Sequence, residues 1–234
     1  MRRAFLALAF SLLLAGCLSS SNPSFEGGRH DFFLTTSDGW GISAFEVEPS
    51  QSNGVAFVLL HELSGSKEDY KNFAFTAAEK GFHVVAIDLR GHGKSNLPLS
   101  FDFFSTSDFS KMPLDARAAV DYAFSTGDKQ VVLIGASIGA NAALQEAADD
   151  ARVKKIVLLS PGLNYRGLEA GVATKSFEGS ALLIASKGDS YSHQSAKRLA
   201  ELSSNYVFLE YDGSLHGTAL LPLSTQKILQ YAAG

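Results

Sequence analysis

A serine between two glycines, at a predicted junction of strand and helix, constrains the fold of this chain most. The apolar run Val131-Val132-Leu133-Ile134 leads into Gly135-Ala136-Ser137-Ile138-Gly139, and the helix-forming stretch 140–148 follows. Such a sharp turn strains the serine backbone and lifts its hydroxyl clear of the sheet. The strand and the helix then cross so closely that side chains at both glycines would collide. Because glycine-rich turns also produce this five-residue pattern by chance, the rest of the chain decides its meaning.

Six apolar runs that alternate with helical patterns predict a mostly parallel sheet. Near-continuous runs of this kind indicate strands buried on both faces. The runs are residues 55–60, 84–89, 131–136, 156–159, 181–185 and 206–209. Helices are predicted between and after them, over residues 66–81, 113–127, 140–148, 192–202 and 224–232. Segments 30–35 and 41–48 predict an antiparallel hairpin at the sheet edge. We therefore predict a doubly wound α/β domain, in which sites form at the carboxyl ends of the strands.

The first 28 residues carry the features of an export signal. Arg2-Arg3 precede the apolar segment 4–14, which is too short to span a bilayer. Leu14-Ala15-Gly16-Cys17 follows and resembles the lipobox of bacterial lipoproteins. The resemblance implies a signal peptide over residues 1–16, a lipidated Cys17, a flexible tether over 17–28 and attachment to a cell-envelope membrane. An ordinary secretory signal with an incidental cysteine is the alternative.

The composition favours one globular domain over residues 29–234 and argues against nucleic acid, cofactors and metal ions as partners. Hydrophobic residues make up 46% of the chain and charged residues 19%. A net charge of −4 without a basic cluster argues against nucleic acid as a partner. Cys17 is the only cysteine, which excludes disulfides and cysteine-rich metal sites. Gly93-Lys94-Ser95 lacks the spacing of a phosphate loop, and no metal-binding histidine pair occurs. We expect neither a cofactor nor a metal.

Reactive or glycine-rich segments follow most of the predicted parallel strands. They are His61-Glu62-Leu63-Ser64-Gly65-Ser66, Asp88-Leu89-Arg90-Gly91-His92-Gly93-Lys94-Ser95, Ser137, Lys187-Gly188-Asp189 and Ser214-Leu215-His216-Gly217. In these motifs and in the order serine, acid, histidine, nearly the whole mature chain resembles the α/β-hydrolase family. The resemblance implies an α/β-hydrolase sheet. Only about twenty residues separate Leu159 from Ala181, too few for a large cap domain.

The resemblance also implies the roles of the site residues. Ser137 would attack a carbonyl carbon, His216 would take its proton, and Asp189 would orient the imidazole. The backbone N–H groups of Leu63 and Ile138 would form the oxyanion hole. Many relatives have glycine where this chain has Glu62, whose carboxylate would either hold the loop or perturb Ser137.

Several side chains compete for these roles. Asp212 is close to His216 in sequence, but the family acid follows the strand that ends before Asp189. The other five histidines carry simpler explanations. His61 would brace the oxyanion loop and His92 the glycine loop. His193 would lie on the surface, and His30 and His83 would be solvated or bonded to the backbone.

The residues predict a membrane-tethered carboxylesterase that cleaves small or medium acyl esters through this triad. An acyltransferase with the same triad, and a catalytically silent lipoprotein that binds a ligand or an envelope partner, are the alternatives. Four aromatic residues after Ser95 have three interpretations: packing, an apolar wall over an acyl or aryl group, or contact with lipid. They are Phe101, Phe103, Phe104 and Phe109.

Overall fold

An eight-stranded sheet forms the centre of the chain in a computed structural model that describes residues 28–234. The predicted signal peptide, Cys17 and all of the tether except Gly28 lie outside the described residues. The strands are β1 (Arg29–Thr35), β2 (Gly41–Val47), β3 (Val55–Leu60), β4 (His83–Ile87), β5 (Gln130–Ala136), β6 (Lys155–Leu159), β7 (Asn164–Tyr165), β8 (Leu168–Glu169), β9 (Ser180–Ser186) and β10 (Tyr206–Tyr211). Strands β7 and β8 form a separate small hairpin.

The order of strands across the sheet is β1-β2-β4-β3-β5-β6-β9-β10. Strands β4, β3, β5, β6, β9 and β10 run parallel to one another, whereas β1 pairs antiparallel with β2 and β2 antiparallel with β4. Because β5 lies in the middle, the loop that follows it is flanked by the loop after β3 on one side and those after β6, β9 and β10 on the other.

Helices cover both faces of the sheet and give it two apolar cores. They are α1 (Lys71–Ala78), α2 (Thr106–Phe109), α3 (Met112–Ser125), α4 (Ile138–Asp149), α5 (Ala170–Ser176), α6 (Ser190–Ala200) and α7 (Leu221–Ala233). Helices α1 and α7 bury Phe73 and Ile228 against one face. Helices α3, α4, α5 and α6 pack on the other, where buried alanines of α4 let the helix approach the strands closely.

The prediction of a doubly wound, mostly parallel sheet with an antiparallel N-terminal hairpin is confirmed. Each of the six apolar runs forms a strand, with ends that differ by no more than two residues. The first predicted helix is divided, because a 3₁₀ turn over Lys67–Tyr70 precedes α1. A capping box begins this 3₁₀ turn, since Ser66 N–H donates to Asp69 Oδ2 over 2.8 Å.

The segment between β6 and β9 is short, and no large cap covers the carboxyl edge of the described sheet. It contains the β7–β8 hairpin and α5, which were not predicted because their runs are too short to show a period. Within residues 28–234, no helix has both the length and the apolar character needed to cross a membrane.

Candidate active site

Ser137 occupies the sharp turn that the sequence predicts between β5 and α4. Its φ of 52° and ψ of −116° lie in a region that residues with side chains rarely adopt, at a cost of roughly 1–3 kcal/mol. Its N–H donates to the carbonyl of Leu159 over 2.8 Å, which fixes the turn against β6. Only 6% of the residue is exposed. The serine is therefore held in one position by the backbone around it.

The two glycines that flank this turn leave no room for a side chain, because other backbone atoms lie close to them. A Cβ on Gly135 would collide with the carbonyl of Gly139, the second residue of α4. A Cβ on Gly139 would lie 2.5 Å from the carbonyl oxygen of His61 in the loop after β3. The second contact joins the turn at Ser137 to the loop that carries Leu63, so the glycines hold two parts of the site together.

Gly139→Ala is expected to destabilise the protein by roughly 1–3 kcal/mol, because backbone atoms at the added Cβ cannot move aside cheaply. Gly171→Ala in α5 is the matched control, since its Cβ would meet nothing within 4 Å. Both changes gain the same helix propensity, so the difference between them isolates the contact. Urea unfolding measures both variants. Equal free energies of unfolding for the two variants would contradict the packing argument.

The acid and the histidine that the resemblance implies lie side by side. Asp189 follows β9 and His216 follows β10, and Asp189 Oδ2 is 2.6 Å from His216 Nδ1. Because a carboxylate can only accept, Nδ1 carries the hydrogen and Nε2 keeps its lone pair free to take a proton. No hydrogen bond joins His216 to Ser137 in the described residues, and the histidine side chain is 42% exposed.

Asp212, the alternative acid, lies elsewhere. Its Oδ1 accepts from Lys187 Nζ over 2.9 Å, and its side chain is 91% exposed. Lys187 lowers the pKa of this carboxyl group. The structure thus brings Asp189, and not Asp212, to His216.

The loop after β3 presents Leu63 on a tight turn. Gly65 N–H donates to the carbonyl of Glu62 over 2.9 Å, and Ser64 between them has a φ of 64°. The N–H groups of Leu63 and Ile138 donate to no protein acceptor within residues 28–234. Two unpaired donors are what an oxyanion hole needs, although the two groups come from different loops.

His61 braces this loop, as expected. Leu89 N–H donates to its Nε2 over 3.0 Å, so Nδ1 carries the hydrogen and donates to the carbonyl of Glu62 over 2.7 Å. Burial lowers the pKa of His61 to about 4, which keeps the ring neutral. Both ring nitrogens are therefore engaged in hydrogen bonds that hold the loop, and burial disfavours the protonated form.

The carboxylate of Glu62 contacts the loop that follows β10 and carries His216, which we call the histidine loop (residues 212–218). Its Oε1 accepts from Thr218 Oγ1 over 2.8 Å and its Oε2 from Thr218 N over 3.3 Å. Of the two roles left open by the sequence, holding a loop is the one that these contacts support.

Tyr165 is a residue of the site that the sequence analysis missed. Its hydroxyl lies 3.0 Å from Ser192 Oγ. Burial raises the pKa of Tyr165, and the hydroxyl groups of Ser192 and Ser137 act to lower it. The β7–β8 hairpin that carries Tyr165 has two residues per strand, so no periodic signal could have indicated its contact with Ser192.

The remaining histidines have structural partners. His92 donates through Nδ1 to the carbonyl of Arg90 and stacks on Phe101, which agrees with a bracing role. His193 contacts Glu210. His30 is exposed to solvent, as expected, and also contacts Glu46. The expectation that His83 is solvated or bonded to the backbone is wrong, because His83 is buried and contacts the carboxylates of Asp128 and Glu46.

The aromatic segment after Ser95 serves mainly for packing. Phe104 and Phe109 pack edge to face, Phe109 is buried, and Phe101 lies against His92. Phe103 alone of the four is largely exposed, at 76%. No cluster of three or more histidine, cysteine or acidic side chains in residues 28–234 could hold a metal ion.

The sheet order and the elbow at Ser137 define an α/β-hydrolase. A family model described as "Serine aminopeptidase, S33" matches residues 51–211, and the chain belongs to this family of α/β-hydrolases.

Curated relatives support the same class. A non-heme chloroperoxidase of Streptomyces lividans is 32% identical over 131 residues, which are 54% of this chain and 43% of the relative. Lipase 1 of Psychrobacter immobilis is 25% identical over 207 residues, 82% of this chain and 62% of the lipase. The matched part of the chain thus spans 43% of the length of the first relative and 62% of the second.

Solved structures share the fold at low sequence identity. An esterase of Pyrococcus furiosus superimposes with a TM-score of 0.71 at 18% identity, covering 88% of this chain and 90% of the esterase. Est1E from Butyrivibrio proteoclasticus, solved with bound ferulic acid, gives 0.72 at 18% identity and covers 87% and 100%. At this identity, the likeness concerns the fold alone.

Proposed function

We propose that this protein is a serine hydrolase of the carboxylesterase type, acting on small or medium acyl esters. The observation that carries the proposal is the 2.6 Å contact between Asp189 and His216, on loops at the same sheet edge as the turn at Ser137. Intact serine, histidine and acid at one edge are difficult to explain in a protein that only binds a ligand. The lipase and esterase relatives are consistent with an ester as the substrate.

The proposed mechanism has two halves. His216 Nε2 takes the proton of Ser137 as its oxygen attacks the ester carbonyl, and Asp189 stabilises the resulting imidazolium. The N–H groups of Leu63 and Ile138 stabilise the oxyanion of the tetrahedral intermediate. The protonated histidine then donates its proton to the departing alcohol, which leaves an acyl group on Ser137. Water, activated by the same histidine, attacks the acyl-enzyme and releases the acid.

A fluorophosphonate probe and a panel of p-nitrophenyl esters with two to twelve acyl carbons test this function. We expect covalent labelling at Ser137. We also expect turnover to favour the shorter acyl chains, because the segment between β6 and β9 is too short to form a large cap around a long chain. A folded protein that is neither labelled nor active on any ester would instead favour the ligand-binding alternative. Transfer of the acyl group to an added alcohol in preference to water would identify an acyltransferase.

We also propose that Cys17 is acylated and attaches the protein to a cell-envelope membrane. The support is the short apolar segment followed by Leu14-Ala15-Gly16-Cys17. Cys17→Ala is expected to abolish metabolic labelling with a fatty acid and to release the protein from the membrane fraction. Ser21→Ala, a change within the same tether, serves as the control and should behave as wild type. A wild-type protein recovered soluble and unlabelled would refute the anchor.

A further inference from the structure

The carboxylate of Glu62 joins two loops that leave the sheet on opposite sides of β5. Glu62 follows β3 and lies directly before Leu63, whereas Thr218 follows β10 and lies two residues after His216. In the order of strands, β5 lies between β3 and the group β6, β9 and β10. The contact between Glu62 and Thr218 therefore passes across the end of β5, where Ser137 stands.

The histidine loop is shaped to receive this carboxylate. Gly217 has a φ of 58°, and a Cβ there would lie 2.9 Å from Glu62 Cδ, so the glycine leaves the space that the carboxylate fills. Thr218 presents both its N–H and its hydroxyl to Glu62. The Gly217 N–H donates to Ser160 Oγ over 3.0 Å, which holds the loop from the side of β6. The residue next to His216 is thus fixed from both directions.

Glu62 also has a rigid backbone. Its carbonyl accepts from His61 Nδ1 and from Gly65 N–H, so the peptide before Leu63 is held by two hydrogen bonds. Because both the backbone and the carboxylate of Glu62 are hydrogen-bonded, the residue couples the position of one loop to that of the other. The oxyanion loop and the histidine loop must keep their spacing to within a fraction of an ångström, because a misplacement of 1 Å can cost about 100-fold in rate.

We propose that Glu62 is a positioning residue that locks the histidine loop to the oxyanion loop through Thr218. The lock preorganises His216 and the Leu63 N–H around Ser137 before the substrate arrives. This role rests on the proposed hydrolase function, and Glu62 itself makes no contact with the reacting atoms.

Glu62→Gln and Thr218→Val test the lock from its two sides. Thr218→Val removes the hydroxyl contact with almost no change in volume, because a methyl group cannot donate. Glu62→Gln keeps the size of the side chain but weakens the contact, because the negative charge that strengthens both hydrogen bonds is lost. We expect kcat for a p-nitrophenyl ester to fall about 10- to 100-fold with KM within about twofold. The loss in the double variant should be smaller than the product of the two single losses, since both changes weaken the contact between the same two residues. Thr218→Ser keeps the hydroxyl and should restore wild-type kcat.

Glu79→Gln is the matched control, because Glu79 is exposed at the end of α1. It should leave kcat unchanged. An additive double variant, or wild-type kcat in Thr218→Val beside a slow Glu62→Gln, would overturn the lock and indicate direct action of Glu62 on Ser137. A change in KM instead of kcat would also overturn it.

Amide hydrogen exchange over residues 214–220 separates this inference from the proposed function. In the Glu62→Gln variant, the amide hydrogens of these residues should exchange faster than in wild type or in Glu79→Gln. This should hold whether or not the protein hydrolyses esters. Unchanged exchange would overturn the lock even in an active enzyme. Faster exchange in a protein without esterase activity would support the lock and refute only the proposed function.

Discussion

Replacing Ser137 by alanine is expected to lower ester turnover by roughly five to six orders of magnitude while the protein stays folded. The hydroxyl is the only group at the elbow that can form the acyl-enzyme, and its loss removes the covalent route altogether. Alanine has the same Cβ as serine, so it tolerates the φ of 52° no worse than the native residue. The oxyanion donors remain in place and account for the small residual rate.

Three measurements check this expectation. They are kcat/KM on a p-nitrophenyl ester, labelling by the fluorophosphonate probe, and the midpoint of thermal unfolding. Ser50→Ala, at an exposed position after β2, is the control and should match wild type in all three. Hydrolysis or labelling that persists undiminished in Ser137→Ala would show that the nucleophile is another residue.

Asp189→Asn is expected to lower turnover about 10,000-fold with little loss of stability, by analogy with the triad of serine proteases. Asp189 accepts from His216 Nδ1–H over 2.6 Å, which leaves Nε2 unprotonated. An asparagine can present its NH₂ group to Nδ1, which favours the tautomer with the hydrogen on Nε2. That tautomer cannot accept the proton of Ser137, and the imidazolium also loses its counter-charge.

Asp212→Asn is the matched control, because it makes the same chemical change on the neighbouring strand end. Asp212 bonds to Lys187 and is almost fully exposed, and an exposed ion pair of this kind contributes little. We expect this variant to keep most of its activity. The assignment of the acid would be wrong if Asp212→Asn were the inactive variant and Asp189→Asn the active one.

The turn at Ser137 combines local and distant constraints. Its backbone conformation comes from the chain itself, yet its stability depends on Gly139 packing against the loop after β3. That loop carries Leu63 and is tied by Glu62 to the loop of His216. Three of the proposed catalytic elements therefore share one network of backbone and side-chain contacts, so a change in one loop is expected to affect the others.

Much of the fold could be predicted from the chain alone because its signals are local. Strands buried on both faces produce continuous apolar runs, and each of the six predicted runs is a strand. The elbow at Ser137 has a local signature too, since both glycines lie within two residues of it. The β7–β8 hairpin and α5 were missed because two to seven residues give no readable period.

What the sequence by itself determined is the α/β architecture and the strained turn at Ser137, because each depends on neighbours along the chain. For the acid, the sequence favoured Asp189 only through the family resemblance, and the tertiary structure shows the contact itself: Asp189, 27 positions away, meets His216, whereas the nearer Asp212 faces solvent. The tertiary structure also decided the partner of Glu62, which is 156 positions distant, and the contact of Tyr165 with Ser192. These contacts depend on how the sheet aligns the ends of separate strands, and no pattern along the chain encodes that alignment.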